Sequence, residues 1–296
     1  MSSPAATTRP EDTPFAPADW ALLIGAASIW GSSFLLMAIG LDSFEPGLVT
    51  LGRVGFGALT LSLIPGARRP IDRADRGRIV LVGITWMALP LTLFPIAQQW
   101  IDSSVAGMLN SGMPLMTVLI AWSIFATATG PRRLVGVVVG FAGIAMIGVP
   151  EATTAGTNAI GVLLVLIAVS CYGVAVNLTG PLQARYGSLP VIATALRYAT
   201  VLTVPYALVG LPDSEFAWDS LVACIVLGAF GTGLAFVWAA TLTGRVGAVR
   251  TSVTTYIVPV VAIALGVAFR DESVSPGSAV GIVVVLFGAY LSSRTD

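Results

Sequence analysis

Polar residues interrupt this chain at short intervals, and between them run apolar stretches of helix length: residues 20–39, 46–65, 79–98, 103–126, 132–149, 159–179, 189–211, 219–241, 247–269 and 275–292. Most reach the roughly 20 residues that a helix needs to cross about 30 Å of hydrocarbon. The stretch at 132–149 is marginal, and its Arg132 and Arg133 are expected at the membrane interface. The connections are too short to hold a soluble domain. The pattern predicts an all-α polytopic membrane protein with ten transmembrane helices. Residues 1–18 are polar and proline-containing, and a disordered segment is expected there. No cleavable signal peptide is expected, because the first apolar stretch is too long and is flanked by acids as well as by Arg9.

The pattern repeats. Sliding the chain against itself by about 145 positions aligns Pro114 with Pro259, Pro131 with Pro276, Gly136 with Gly281 and Gly143 with Gly288. With a drift of one to three residues, Arg53 meets Arg197, Pro46 meets Pro190 and Gly31 meets Gly173. Each copy holds five apolar stretches, an odd number, so the second copy must enter the bilayer from the opposite side. The expected organisation is two inverted five-helix repeats, residues 19–150 and 151–296, around a central cavity. That arrangement exposes one midplane site alternately to each side of a membrane.

Composition agrees: 56% of residues are hydrophobic, 10% are charged, and the mean hydropathy is +0.90. Soluble domains carry nearer a quarter charged residues. The net charge is zero, yet the charges are sorted. All fifteen basic residues are arginine. With the N-terminus in the cytoplasm, the inside segments collect Arg9, Arg68, Arg69, Arg73, Arg76, Arg78, Arg132, Arg133, Arg185, Arg245, Arg250 and Arg294, whereas the outside loops hold only Arg270. Asp42, Glu45, Asp102, Glu151, Asp213, Glu215, Asp219, Asp271 and Glu272 fall outside. The positive-inside rule then puts both termini in the cytoplasm of a multi-pass inner-membrane protein.

Several chemistries are excluded by what is missing. The chain has no histidine, and no acid or lysine lies in mid-span. Intramembrane Ser-His or paired-aspartate catalysis, a histidine zinc site and a buried carboxylate proton relay therefore lack their residues. Cys171 and Cys224 lie inside apolar stretches and give no metal-ligand spacing. The glycines stand in no strand-to-helix context that would cradle a nucleotide. No enzyme activity, metal, cofactor, nucleotide or nucleic-acid partner is expected; the partners are a small-molecule substrate and the lipid bilayer.

What remains points to a cavity wall. Arg53 and Arg197 are the charges inside spans, each seven residues beyond a proline. Substrate contact, gating and snorkelling between packed helices are all open to them, and their symmetry suggests one shared job. Pro114 and Pro259 lie near the middle of the fourth and ninth spans and deprive the carbonyls of Asn110 and Thr255 of their usual partner, so both are candidate hinges. Polar residues cluster beside them. Trp30, Ser33, Trp86, Asn110, Tyr172, Asn177, Trp238, Thr255 and Tyr256 are the candidate substrate-cavity residues. Rings would supply shape and stacking; amides, hydroxyls and freed carbonyls would orient a polar end. Simple helix packing is the competing reading for each.

The ordered set of Trp30-Gly31-Ser32-Ser33-Phe34, Arg53 and Arg197 after Pro46 and Pro190, the mid-helix Pro114 and Pro259, and the Gly136/Gly143 and Gly281/Gly288 pairs resembles the drug/metabolite transporter superfamily, in particular its ten-helix EamA-type exporters. The resemblance covers about residues 18–292. It implies alternating-access export of small organic solutes, with bacterial exporters of aromatic and neutral amino acids as the nearest kind. The family often carries a Gly-Glu-Arg-like corner after helices four and nine. Here Gly130-Pro131-Arg132 lacks the glutamate and Arg270-Asp271-Glu272 keeps its acids, so the resemblance assigns the corner no role. An ion-coupled metabolite importer, with sodium near Asn110 and Thr255, and a passive channel or sensor remain the alternatives.

Overall fold

The computed structural model describes residues 16–126, 130–154, 158–246, 251 and 254–293, and among these every regular element is a helix. The first fifteen residues of the expected disordered segment, Arg250 and Arg294 lie outside the described residues. The chain enters helix at Pro17, within the segment read as disordered. The helices are α1 (Pro17–Leu41), α2 (Pro46–Ser62), α3 (Arg76–Val82), α4 (Leu89–Ala97), α5 (Ser103–Asn110), α6 (Met113–Ser123), α7 (Pro131–Thr154), α8 (Asn158–Tyr186), α9 (Ser188–Gly210), α10 (Trp218–Val226), α11 (Ala235–Val246), α12 (Thr254–Arg270) and α13 (Pro276–Ser293).

Among the described residues, six helical segments are long and apolar enough to cross a membrane, or seven with α5 and α6 taken as one span bent by 41°. The apolar helices Thr254–Arg270 and Pro276–Ser292 are shorter. Prolines stand in the first turn of α1, α2 and α6. There the missing N–H costs nothing and the fixed φ suits a helix start. Pro131 and Pro276 likewise open α7 and α13. The stretch that looked marginal from sequence runs on to Thr154 and contains Pro150. Between α8 and α9 only Gly187 intervenes, at φ 85°, a conformation that a side chain would strain.

Two ladders are widened rather than broken. A π-helix at Gly83–Ala88 joins α3 to α4, and another at Leu227–Leu234 joins α10 to α11. They lie at the offset of about 145 residues seen in the sequence.

Packing is set by glycine. A Cβ on Gly136 would stand 2.7 Å from the Gly288 carbonyl, one on Gly288 2.6 Å from the Gly136 carbonyl, and one on Gly143 2.7 Å from the Gly281 carbonyl. Thus α7 and α13 touch backbone to backbone. In the same way a Cβ on Gly228 would come within 2.8 Å of the Arg53 carbonyl and 2.9 Å of the Gly52 carbonyl, which presses α2 against the second π segment.

Ion pairs near the helix termini define two ends of the bundle. At one, which holds the start of α1 and the end of α13, Asp19 pairs with Arg245 at 2.6 Å, and Arg185 reaches Asp75 at 2.8 Å and Asp72 at 2.6 Å. This is called the terminal end. At the other, the distal end, Arg270 grips Asp42 with two bonds of 2.7 and 2.9 Å.

The glycine contacts predict a contrast. Gly288→Ala puts its Cβ into the α7 backbone and should cost about 1–3 kcal/mol, as overpacking does. Gly77→Ala, in α3 with nothing within 4 Å of a Cβ, should be neutral or stabilising by up to about 1 kcal/mol. Melting temperatures in detergent check both: equal values for the two variants would refute the backbone contact.

Candidate functional site

A cavity of about 410 Å³ lies at the centre of the bundle. Its wall includes Trp30, Ser33, Phe34, Arg53, Trp86, Phe94, Asn110, Met113, Tyr172, Thr232, Phe236, Thr243, Thr251, Thr254 and Thr255. Thr243, near the end of α11, Thr251, and Thr254 and Thr255 at the start of α12 extend it toward the terminal end. A larger depression of about 520 Å³ is an apolar groove between α2 and α10, with polar groups only where Ser214 and Glu215 meet it. Of these two, the central cavity is the one that combines rings, amide, hydroxyls and a cation.

Its rings form two groups. Phe236 stands edge to face with both Trp30 and Trp86, with centroids 5.7 and 5.6 Å apart. On the distal side Phe34 and Phe94 meet edge to face at 5.6 Å, and Phe94 stacks on Tyr172 at 6.0 Å. Phe34 and Phe94 are both buried and form the floor. Above that floor the distal end is laced. Asp271, at φ 52°, takes the left-handed position that ends α12, and the Glu272 N–H turns back to the Gly266 carbonyl at 3.3 Å. This aims the Glu272 carboxylate at the start of α5, where it accepts from Ser103 N (3.0 Å), Ser103 Oγ (2.6 Å) and Ser104 N (2.8 Å). Desolvation first, and then the charge of Glu272, raise the neighbouring Asp102 carboxyl above its ordinary range. Beneath the seam Gln98 Oε1 and Ser104 Oγ are buried without a hydrogen-bond partner.

The π segments bring residues to the wall that regular helices would turn elsewhere. Trp86 and Met87 come from the first, Gly231 and Thr232 from the second. Thr232 Oγ1 donates to the Leu227 carbonyl at 3.4 Å and accepts from Arg53 Nε at 3.1 Å. Such bulges recur at functional sites.

Of the residues singled out from sequence, Trp30, Ser33, Trp86, Asn110, Tyr172 and Thr255 line the cavity. Asn177, Trp238 and Tyr256 do not. The Asn177 amide donates to the Thr117 carbonyl at 3.1 Å and the Gly173 carbonyl at 2.8 Å, so it joins α8 to α6. Trp238 covers Gly25 of α1, and Tyr256 packs against the hydrophobic core. The expected symmetry of the two arginines fails: Arg53 is buried at the cavity, whereas Arg197 is exposed on α9. The prolines also differ. Ahead of Pro114 the ladder breaks, with Ser111 N and Gly112 N bonding three residues back, while Pro259 lies inside continuous α12. Phe94, Thr232, Thr243 and Thr251 were not anticipated. Thr232 carried a signal, since it sits in a Gly-rich run on the span facing α2.

The profile of a family described as "EamA-like transporter family" matches residues 20–149 and again 159–294. A protein of Streptantibioticus cattleyicolor named "Probable terminal-alkyne amino-acid exporter" is 27% identical over 93% of this chain and 93% of its own length. The "Uncharacterized transporter YoaV" of Bacillus subtilis is 22% identical over 92% of this chain and 96% of its own. The "Uncharacterized inner membrane transporter YedA" of Escherichia coli strain K12 is 25% identical, with 89% and 86% covered. A solved crystal structure superposes with a TM-score of 0.65 over 93% of this chain and 97% of its own at 18% identity, which shows a shared fold.

The wall geometry separates contact from packing. Trp86→Ala should lower solute flux roughly 10- to 100-fold, the worth of one large apolar contact, with little change in melting temperature. Phe94→Ala should lose about 3–5 kcal/mol of stability, because that ring is core as well as floor. Tyr256→Ala should cost stability while flux per folded protein holds. Flux and melting temperature falling together for Trp86→Ala would make that ring mere packing.

Proposed function

Because this chain belongs to the EamA-like transporter family, a family of membrane transporters and not enzymes, we propose that it exports small organic solutes, aromatic and neutral amino acids foremost, by alternating access. The observation that carries the reading is the ring-walled central cavity, extended to one end of the bundle and closed at the other by Phe34, Phe94 and the Glu272 and Arg270 contacts. A pocket of that volume with a few convergent polar groups suits a molecule of amino-acid size. The exporter name of the Streptantibioticus relative supports the substrate class.

In this proposal the protein spans the inner membrane ten times, as two inverted repeats over residues 19–150 and 151–296. Two matches of one family profile support that reading, as does the recurrence of the π segments. Both termini are cytoplasmic, following the arginine sorting. The described state is then open to the cytoplasm. Solute enters past Thr243 and Thr251, is held among Trp30, Trp86, Tyr172, Asn110 and Thr255, and leaves when the distal seam parts. Bending at the break before Pro114 and at Pro259 accompanies the switch. Two states within a few kcal/mol suffice for it.

Counterflow in liposomes tests the function: preloaded phenylalanine or leucine should drive uptake of the labelled compound, and flux that fails to saturate would indicate a channel instead. Orientation is checked by a cysteine placed at Arg73 in a background without Cys171 and Cys224; an impermeant reagent should reach it only from the cytoplasmic side. For the seam, Glu272→Ala uncaps α5 at about 1–2 kcal/mol and should raise the distal-open population roughly 5- to 30-fold. Spin-label distances between the ends of α1 and α12 report it, and an unchanged distribution would remove Glu272 from the closure.

A further inference from the structure

Arg53 is the one arginine buried among the described residues, and it lies on the wall of the central cavity. Its Nε donates to Thr232 Oγ1 at 3.1 Å and its Nη1 to Met37 Sδ at 3.3 Å. Both acceptors are neutral, and a guanidinium offers five N–H donors. The acids that pair with arginine among the described residues, Asp19, Asp42, Asp72 and Asp75, stand at the ends of the bundle, and none reaches Arg53. A buried cation without a counter-charge is costly and marks a place where charge is used. Among the described residues, the cavity wall contains no aspartate or glutamate.

We propose that Arg53 anchors a carboxylate of the transported solute, so that the substrates are organic acids of net charge zero or minus one: zwitterionic amino acids and monocarboxylates. Amines, cations and uncharged solutes are disfavoured. The planar fork of Arg53 matches a carboxylate, and a charge-assisted pair in this partly desolvated place far exceeds its worth in water. Thr232 on the π segment holds Nε and Met37 on α1 holds one Nη1 donor, which leaves the two Nη2 donors and the second Nη1 donor for the solute. On the described wall an ammonium group meets only neutral acceptors, among them the side chains of Ser33, Asn110, Thr254 and Thr255. The acid end of the solute therefore dominates recognition and the amine end is secondary.

The inference rests on the central cavity being the transport site, and the test separates the two. In liposomes holding the full chain, labelled phenylalanine is competed with 3-phenylpropionate, which keeps only the acid, with phenylalaninamide, and with 2-phenylethylamine. Ligand-induced shifts in melting temperature are read beside flux. 3-Phenylpropionate should compete and stabilise; the amide and the amine should be weaker by roughly 10- to 100-fold, the range for a charged hydrogen bond. Arg53→Gln, verified as folded by its melting temperature, should lose flux and the acid-induced shift by a similar factor, and Arg53→Lys should keep part of both. The wild-type competition needs no variant, so a misfolded Arg53→Gln leaves it decisive. Equal competition by the amide and the amine, or full flux in folded Arg53→Gln, would overturn the anchor. If phenylalanine is not carried but another solute from a wider panel is, the amino-acid reading falls. The anchor then stands if that solute is an acid dependent on Arg53, and falls if it is an amine or uncharged.

Discussion

Helices in a bilayer gain nothing by hiding apolar surface from water, because lipid tails are as apolar as leucine, so close van der Waals contact must hold them together. The glycines meet that constraint in this chain. Gly136 and Gly143 of α7 lie against Gly288 and Gly281 of α13 with no room for a methyl group. Gly228 does the same for α2 and the second π segment. The cavity draws on the last of these contacts, since it brings α2 close enough to the π segment for Arg53 on the wall to hydrogen-bond Thr232.

A second constraint follows from the first. Backbone groups in hydrocarbon must be satisfied within the helix unless they face a cavity or a protein neighbour. The chain departs from regular helix at the break before Pro114 and at the two π segments, and Met113, Trp86, Met87, Gly231 and Thr232 from these places all line the central cavity. Irregular backbone and polar lining occur together. The site is built where the fold is least regular.

This explains which parts were legible in the sequence. Span positions follow from runs of apolar residues, so the helices from Pro17 to Ser293 fall close to where hydropathy put them. Trp30, Trp86, Tyr172, Asn110 and Thr255 were legible as cavity residues because they are large or polar at mid-depth. Rotation about a helix axis was not. Asn177 and Trp238 have the right depth and the wrong azimuth, and a π bulge shifts azimuth by an extra residue that no periodicity announces. The repeat also misled: equal sequence positions promised equal roles for Arg53 and Arg197, yet one faces the cavity and the other the outside of α9.

Glu272 carries a consequence in time. It closes the N-terminus of α5 from 168 and 169 residues further along the chain. A ribosome adds residues at roughly 5–20 per second, so α5 is in the membrane for many seconds before its cap exists. Through that interval the amides of Ser103 and Ser104 must stay with water and headgroups. The first half of the molecule is thus born with its distal edge unfastened, and the last third of the chain fastens it.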